Sequence, residues 1–106
     1  MKKSDIFREI TEAVCDYTEL TVEEVLSDSR KEDVVIARCL IVEFGREYGH
    51  LRNKQLQELL HFKSHNSIKY MLDMYRDRHE HDRSFRYIAD CVAHELDKVL
   101  MAITWQ

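Results

Sequence analysis

The sequence predicts a single all-α domain of about six helices with a helix-turn-helix at its centre, and three observations carry that expectation. Among 106 residues there are 2 glycines and no proline, too few turn formers for a strand-rich fold, so helices joined by short connections are expected. Apolar residues recur at spacings of three and four along nearly the whole chain. Side chains suited to capping helix ends, Thr21, Asn53 and Ser64, stand where that periodicity breaks.

The first helix is expected over residues 4–18, where Ile6, Ile10, Val14 and Tyr17 recur at helical spacing. Thr21-Val22-Glu23-Glu24 has the form of a capping box, with hydroxyl on the Glu24 amide and carboxylate on the Thr21 amide, and opens a short helix over 22–27. Residues 33–48 leave few polar positions: Val34, Val35, Ile36, Ala37, Cys39, Leu40, Ile41, Val42 and Phe44 mark a central helix covered on most sides. Gly49 is expected to stop it by taking up a positive φ. Asn53 is expected to cap a fourth helix carrying Leu56, Leu59 and Leu60. Ser64 is expected to cap a fifth, in which Ile68, Met71, Leu72 and Tyr75 form the apolar stripe. Only His61, Phe62 and Lys63 separate these two, which requires a tight helix–helix corner. Phe85, Ile88, Val92, Leu96 and Val99 define a sixth helix from about residue 83 to the end. Residues 1–106 therefore form one domain, without linker or repeat.

At 44% hydrophobic and 34% charged, the composition is that of a soluble globular chain. No stretch approaches the roughly 20 consecutive apolar residues of a membrane span, and Met1-Lys2-Lys3 leads into no signal-peptide core. Cys15, Cys39 and Cys91 are odd in number and far apart, as expected of buried free thiols in a reducing cytoplasm. The net charge of -4 is unevenly spread. Residues 1–29 hold three basic against eight acidic side chains, residues 30–86 twelve against nine, and residues 87–106 one against three. The basic middle coincides with the fourth and fifth helices, a weak electrostatic footprint for nucleic acid.

Catalysis and metal binding find little support. His79-Glu80-His81 places its imidazoles on different sides of a helix, and no CxxC or HExxH pattern accompanies them, so no metal is expected. Cys39, Ser64 and Ser67 have no base and orienting partner at readable spacing, so the chain is not expected to be an enzyme or to need a cofactor. Tyr70, Tyr75, Tyr87 and Phe85 are expected in the core or at helix contacts rather than as stacking platforms. The sign-alternating residues 76–83 suit a solvated helix end and loop.

In a helix-turn-helix the first turn of the second helix meets the major groove. Here that turn presents Ser64, His65, Asn66 and Ser67, with Lys63 and Lys69 alongside. Asn can pair with adenine, His and Ser can meet donors or acceptors, and Lys reaches phosphate or guanine. By themselves Ser64 and Ser67 are equally explained as a helix cap and a solvated side chain.

Ser27-Asp28-Ser29-Arg30 before the central helix, Ala37-Arg38 within it, and the string Lys63-Ser64-His65-Asn66-Ser67-Ile68 add a further signal. In these features, and without gaps from about Ile6 to Leu96, the chain resembles the C-terminal duplex-DNA-binding domain (domain IV) of DnaA-type bacterial replication initiators, whose helix-turn-helix is Trp-repressor-like. The string corresponds to the family's Arg-Asp-His-Thr-Thr-Val. The resemblance implies duplex DNA as partner, with Arg30 in the minor groove, Arg38 near the backbone, and His65, Asn66 and Ser67 reading the major groove. Arg30, Arg38, Lys54, Lys63 and Lys69 would supply phosphate contacts. It implies a bacterial or phage regulator of replication or transcription, or a replication accessory element.

The chain departs from the family at the reading face. Ser64 replaces the signature Asp, Asn66 and Ser67 replace the two Thr, Gln57 replaces a glycine of the first motif helix, and His61-Phe62 replaces the Gly-Gly of the turn. A target other than the initiator's own box is therefore expected, and the turn geometry is open to change. No Gly-rich phosphate loop is present, so neither nucleotide binding nor an ATPase module is expected. The alternative is a protein-interaction module that keeps the fold without the DNA site. Net acidity, Ser64 and the apolar residues 99–105 favour it. Those apolar residues are expected either to pack on the first helix or to form a homodimer or partner contact.

Overall fold

The computed structural model describes residues 2–64 and 66–104, with side chains as far as Leu100. Six helices follow one another among these residues: α1 (Lys3–Thr18), α2 (Val22–Val25), α3 (Glu32–Glu47), α4 (Asn53–Leu59), α5 (Asn66–His81) and α6 (Arg83–Thr104). The described residues contain no strand.

The centre is α3, as its apolar periphery requires. Ala37, Cys39, Leu40, Ile41 and Val42 are fully buried, and α1 and α5 pack against it while α6 closes over α1 and α5. From α1 come Phe7, Ile10, Ala13 and Val14, from α5 Ile68 and Met71, and from α6 Phe85, Ala89, Val92 and Leu96. Phe44 meets the rings of Tyr48 and Tyr75 at 5.8 and 5.9 Å, and Tyr75 meets Phe85 edge-on at 5.5 Å, so one aromatic chain ties α3, α5 and α6 together. Burial of both Tyr48 and Tyr75 raises their hydroxyl pKa values.

Local chemistry sets the boundaries. At α2 the Thr21 amide donates to Glu24 Oε1 and the Glu24 amide to Thr21 Oγ1, both at 3.1 Å, completing the expected capping box. Ahead of α5 the Asn66 amide donates to Ser64 Oγ at 3.1 Å. Two expectations are corrected. Asn53 does not cap α4; Arg52 precedes that helix, its amide donating to Gln55 Oε1 at 2.9 Å, while Asn53 Oδ1 accepts from Arg46 Nη1. Gly49 does not take the positive φ after α3; His50 does, at 51°. Gly49 is instead a close-approach residue, since a Cβ there would sit 2.8 Å from the Gly45 carbonyl oxygen and 3.3 Å from Ile6 Cγ2.

Cys15 and Cys39 are buried free thiols, whereas Cys91 is only partly buried. Two of the aromatic residues expected in the core lie outside it: Tyr70 is 62% and Tyr87 72% exposed. Among the described residues no helix is long and apolar enough to cross a membrane, and no group of three His, Cys, Asp or Glu side chains could hold a metal ion.

Candidate nucleic-acid interface

The corner between α4 and α5 builds the surface. Leu56 and Leu60, fully or almost fully buried, seat α4 on the core, and Leu56 occupies the space left by Gly45, where a Cβ would lie 2.7 Å from Leu56 Cδ2. The chain then reverses with His61 at φ 60°. The His61 amide donates to the Glu58 carbonyl at 3.3 Å and the Phe62 amide to the Gln57 carbonyl at 2.9 Å. This pair of bonds is a Schellman closure, usually built on glycine at the left-handed position. Gln57 reinforces it, Nε2 donating to the Phe62 carbonyl at 3.4 Å. Thus the replacement of Gly-Gly by His61-Phe62 leaves a left-handed corner residue in place, and Gln57 becomes part of the turn.

This corner faces the segment between α2 and α3 across an open groove of about 770 Å³. Buried Arg38, Leu60 and Met71 line its floor, and the exposed residues Arg30, His61, Lys63 and Tyr70 line its walls with Ser67, Ser27 and Asp28. Of the sequence-predicted residues, Arg30, Arg38, Lys63 and Ser67 are therefore brought together, although 37 positions separate Arg30 from Ser67. Lys54 on α4, Ser64 before α5, and Asn66 and Lys69 on α5 are exposed but outside the groove lining. His65 lies outside the described residues.

Arg38 occupies a place other than the expected backbone-contact position. Its side chain is turned inward and the residue is only 7% exposed. Nε donates to the Val25 carbonyl at 2.8 Å, Nη1 to the Ser29 carbonyl at 2.7 Å, and Nη2 to the Ser27 carbonyl. Burial lowers its pKa and nearby Asp28 opposes that shift; a guanidinium starts so far above neutrality that it remains a cation.

Tyr70 is the groove residue that sequence reasoning placed elsewhere. It follows Ser67 by three positions and so shares its helix face, a spacing visible in the sequence but outweighed by the expectation that aromatics are buried.

A second groove, of about 680 Å³, lies among Glu43, Arg46, Tyr75, Arg76, His79 and Arg86. Its charges are mixed and largely engaged. Arg86 donates to the His79 and Glu80 carbonyls, each at 2.7 Å, closing the end of α5, and His79 stacks on Tyr75 while facing Asp90 at 3.4 Å. This surface secures the α5–α6 junction.

The chain is similar to the chromosomal replication initiator protein DnaA of Gloeobacter violaceus, with 34% identity over 64 residues. That match covers 60% of this chain and 14% of the initiator, so the chain corresponds to a small part of that protein's length. No protein-family profile matches the chain, and no solved structure does.

Proposed function

We propose that this chain is a double-stranded DNA-binding domain in which α4 and α5 act as a Trp-repressor-like helix-turn-helix. It would work in the cytoplasm as a regulator of replication or transcription or as a replication accessory element. The observation that carries the reading is the groove in which Arg30, from the segment before α3, faces Lys63 and Ser67 at the start of α5. A duplex laid across this surface meets two chemistries at once. The first turn of α5 offers Asn66 and Ser67 to base edges, and the positive end of the helix dipole favours phosphate. Arg30 is suited to a narrow minor groove, where the negative potential is enhanced.

Lys63, Lys69 and Lys54 supply exposed positive charge for the backbone, and His65 is assigned to base reading from its place in the sequence. Tyr70 joins the set as an apolar ring beside Ser67, suited to a thymine methyl group. The similarity to a replication initiator supports this assignment. The reading gives the chain no catalytic step and no cofactor.

The test is retardation of a random duplex pool at stepped salt concentrations. Binding should weaken steeply with salt, because each neutralised phosphate contributes about 0.9 to the log–log slope. Absence of retardation at low salt would remove the reading. Exposed Tyr17 and Tyr87, on α1 and α6, favour a protein-interaction module as second reading. That module would form a concentration-dependent assembly that protects these tyrosines and leaves duplex DNA unbound.

A further inference from the structure

We infer that Arg38 is a positioning residue for Arg30, meeting no DNA itself but holding the segment before α3 in the form that presents Arg30 to the duplex. The inference rests on the duplex-DNA reading and concerns how the same groove is built. It departs from what the resemblance implied for Arg38, and the departure comes from where the donors point.

The guanidinium is a rigid planar fork, and here each of its three nitrogens meets a carbonyl of one short segment, at Val25, Ser27 and Ser29. The last of these matters most. The Ser29 carbonyl belongs to the peptide unit whose nitrogen is that of Arg30, so the bond from Arg38 Nη1 sets the plane from which the Arg30 side chain departs. The segment's other side-chain bonds are exposed to water: Ser27 Oγ to the Glu24 carbonyl, and the Ser29 and Lys31 amides to the hydroxyls of Ser27 and Ser29. Those bonds compete with solvent. The Arg38 bonds are buried or part-buried and anchored on α3 between Ala37 and Cys39, both fully enclosed. The segment therefore takes its shape from the core through one side chain. Arg30 is held ready before DNA arrives, and less ordering is required on binding.

Lysine has the same charge and a similar stem, but its three donors radiate from one nitrogen, so it cannot reproduce bonds made from the three separate nitrogens of a planar fork. Arg38→Lys therefore separates positioning from charge. In the folded variant, amide hydrogen exchange across residues 26–31 should accelerate. Duplex affinity at low salt should fall about tenfold, the scale of one lost base contact, with the salt slope lowered by about 1 as in Arg30→Ala. The double variant Arg30→Ala/Arg38→Lys should bind like Arg30→Ala alone. A fold defect would not produce that equality or change the slope. Additive losses in the double variant, unaltered exchange, or wild-type affinity of Arg38→Lys would each overturn the inference and leave the DNA reading standing. Failure of the wild-type protein to bind any duplex would overturn both. Should Arg38→Lys not fold, Ser27→Gly/Ser29→Gly loosens the same segment without touching the core. That variant should cost affinity in the wild-type background and none in Arg30→Ala; an equal cost in both would reject the inference.

Discussion

The amide of Phe62 donates to the carbonyl of Gln57 at 2.9 Å, and this bond is reached only because His61 between them holds φ at 60°. A side chain with a Cβ pays for that conformation in steric strain, on the order of 1 kcal/mol or more, whereas glycine does not. His61→Gly should therefore stabilise the fold by about 1 kcal/mol, raising Tm by roughly 4–8 °C for a domain of this size. Thermal unfolding followed by circular dichroism checks it, and a lowered Tm would mean that the His61 side chain makes a contact worth more than the strain.

Gly49 and His50 should respond in opposite senses to what their residue types suggest. An added methyl at Gly49 meets the Gly45 carbonyl oxygen at 2.8 Å, so Gly49→Ala should destabilise by about 1–3 kcal/mol through overpacking. His50, at φ 51°, should tolerate glycine with no loss or a gain of up to about 1 kcal/mol. Urea midpoints of the two variants, compared with wild type, decide both.

Stability should decline in alkali. Cys39 is fully buried, its thiol donating to the Met71 carbonyl at 3.2 Å, and burial pushes its pKa from 9.0 up to about 12. Between those values the unfolded chain has released the proton and the folded one retains it. Folding stability should then fall with rising pH by about 1.4 kcal/mol per unit from this group. Below pH 9 its contribution is fully present. Urea denaturation at pH 8, 10 and 11 should reveal the slope, and Cys39→Ala should flatten it even as it lowers stability overall. A slope unchanged in Cys39→Ala would assign it to the raised tyrosines, Tyr48 and Tyr75.

Tyr70→Ala should separate binding from folding. With 62% of the residue exposed, its removal should leave Tm within about 1 °C, consistent with the small effect of surface substitutions. Duplex binding should weaken about fivefold, equivalent to roughly 1 kcal/mol. Replacing thymine by uracil in the selected site should cost wild type affinity and leave Tyr70→Ala unchanged; equal losses in both would place the ring away from any thymine methyl.

Most helix positions were legible because period and caps agreed. The stripe of Ile68, Met71, Leu72 and Tyr75 names the inward side of α5, and Thr21 with Glu24 marks the start of α2 to the residue. What could not be read is where chemistry leaves residue type behind. Glu19, His50 and His61 hold positive φ without being glycine, because main-chain bonds at the helix ends compensate and these leave no mark on composition. The direction of Arg38 was equally hidden. Its long stem can send the charged head outward or inward, and only the fold decides which carbonyls wait for it. For the candidate site, Lys63 and Ser67 could be named from the sequence, while their meeting with Arg30 in one groove depends on how α2 and α4 seat against α3 and α5.

The corner at residues 60–64 has a consequence for how this surface tolerates substitution. Its path is secured by bonds between main-chain groups, with Gln57 as the side-chain brace, while the His61 and Lys63 side chains are exposed. Substitution of Lys63 meets little resistance from the scaffold, whereas position 61 is constrained by its positive φ. On the proposed reading, the exposed side chain that would face the duplex, Lys63, is thereby uncoupled from the groups that hold the turn, and it can be exchanged without disturbing the path of the chain.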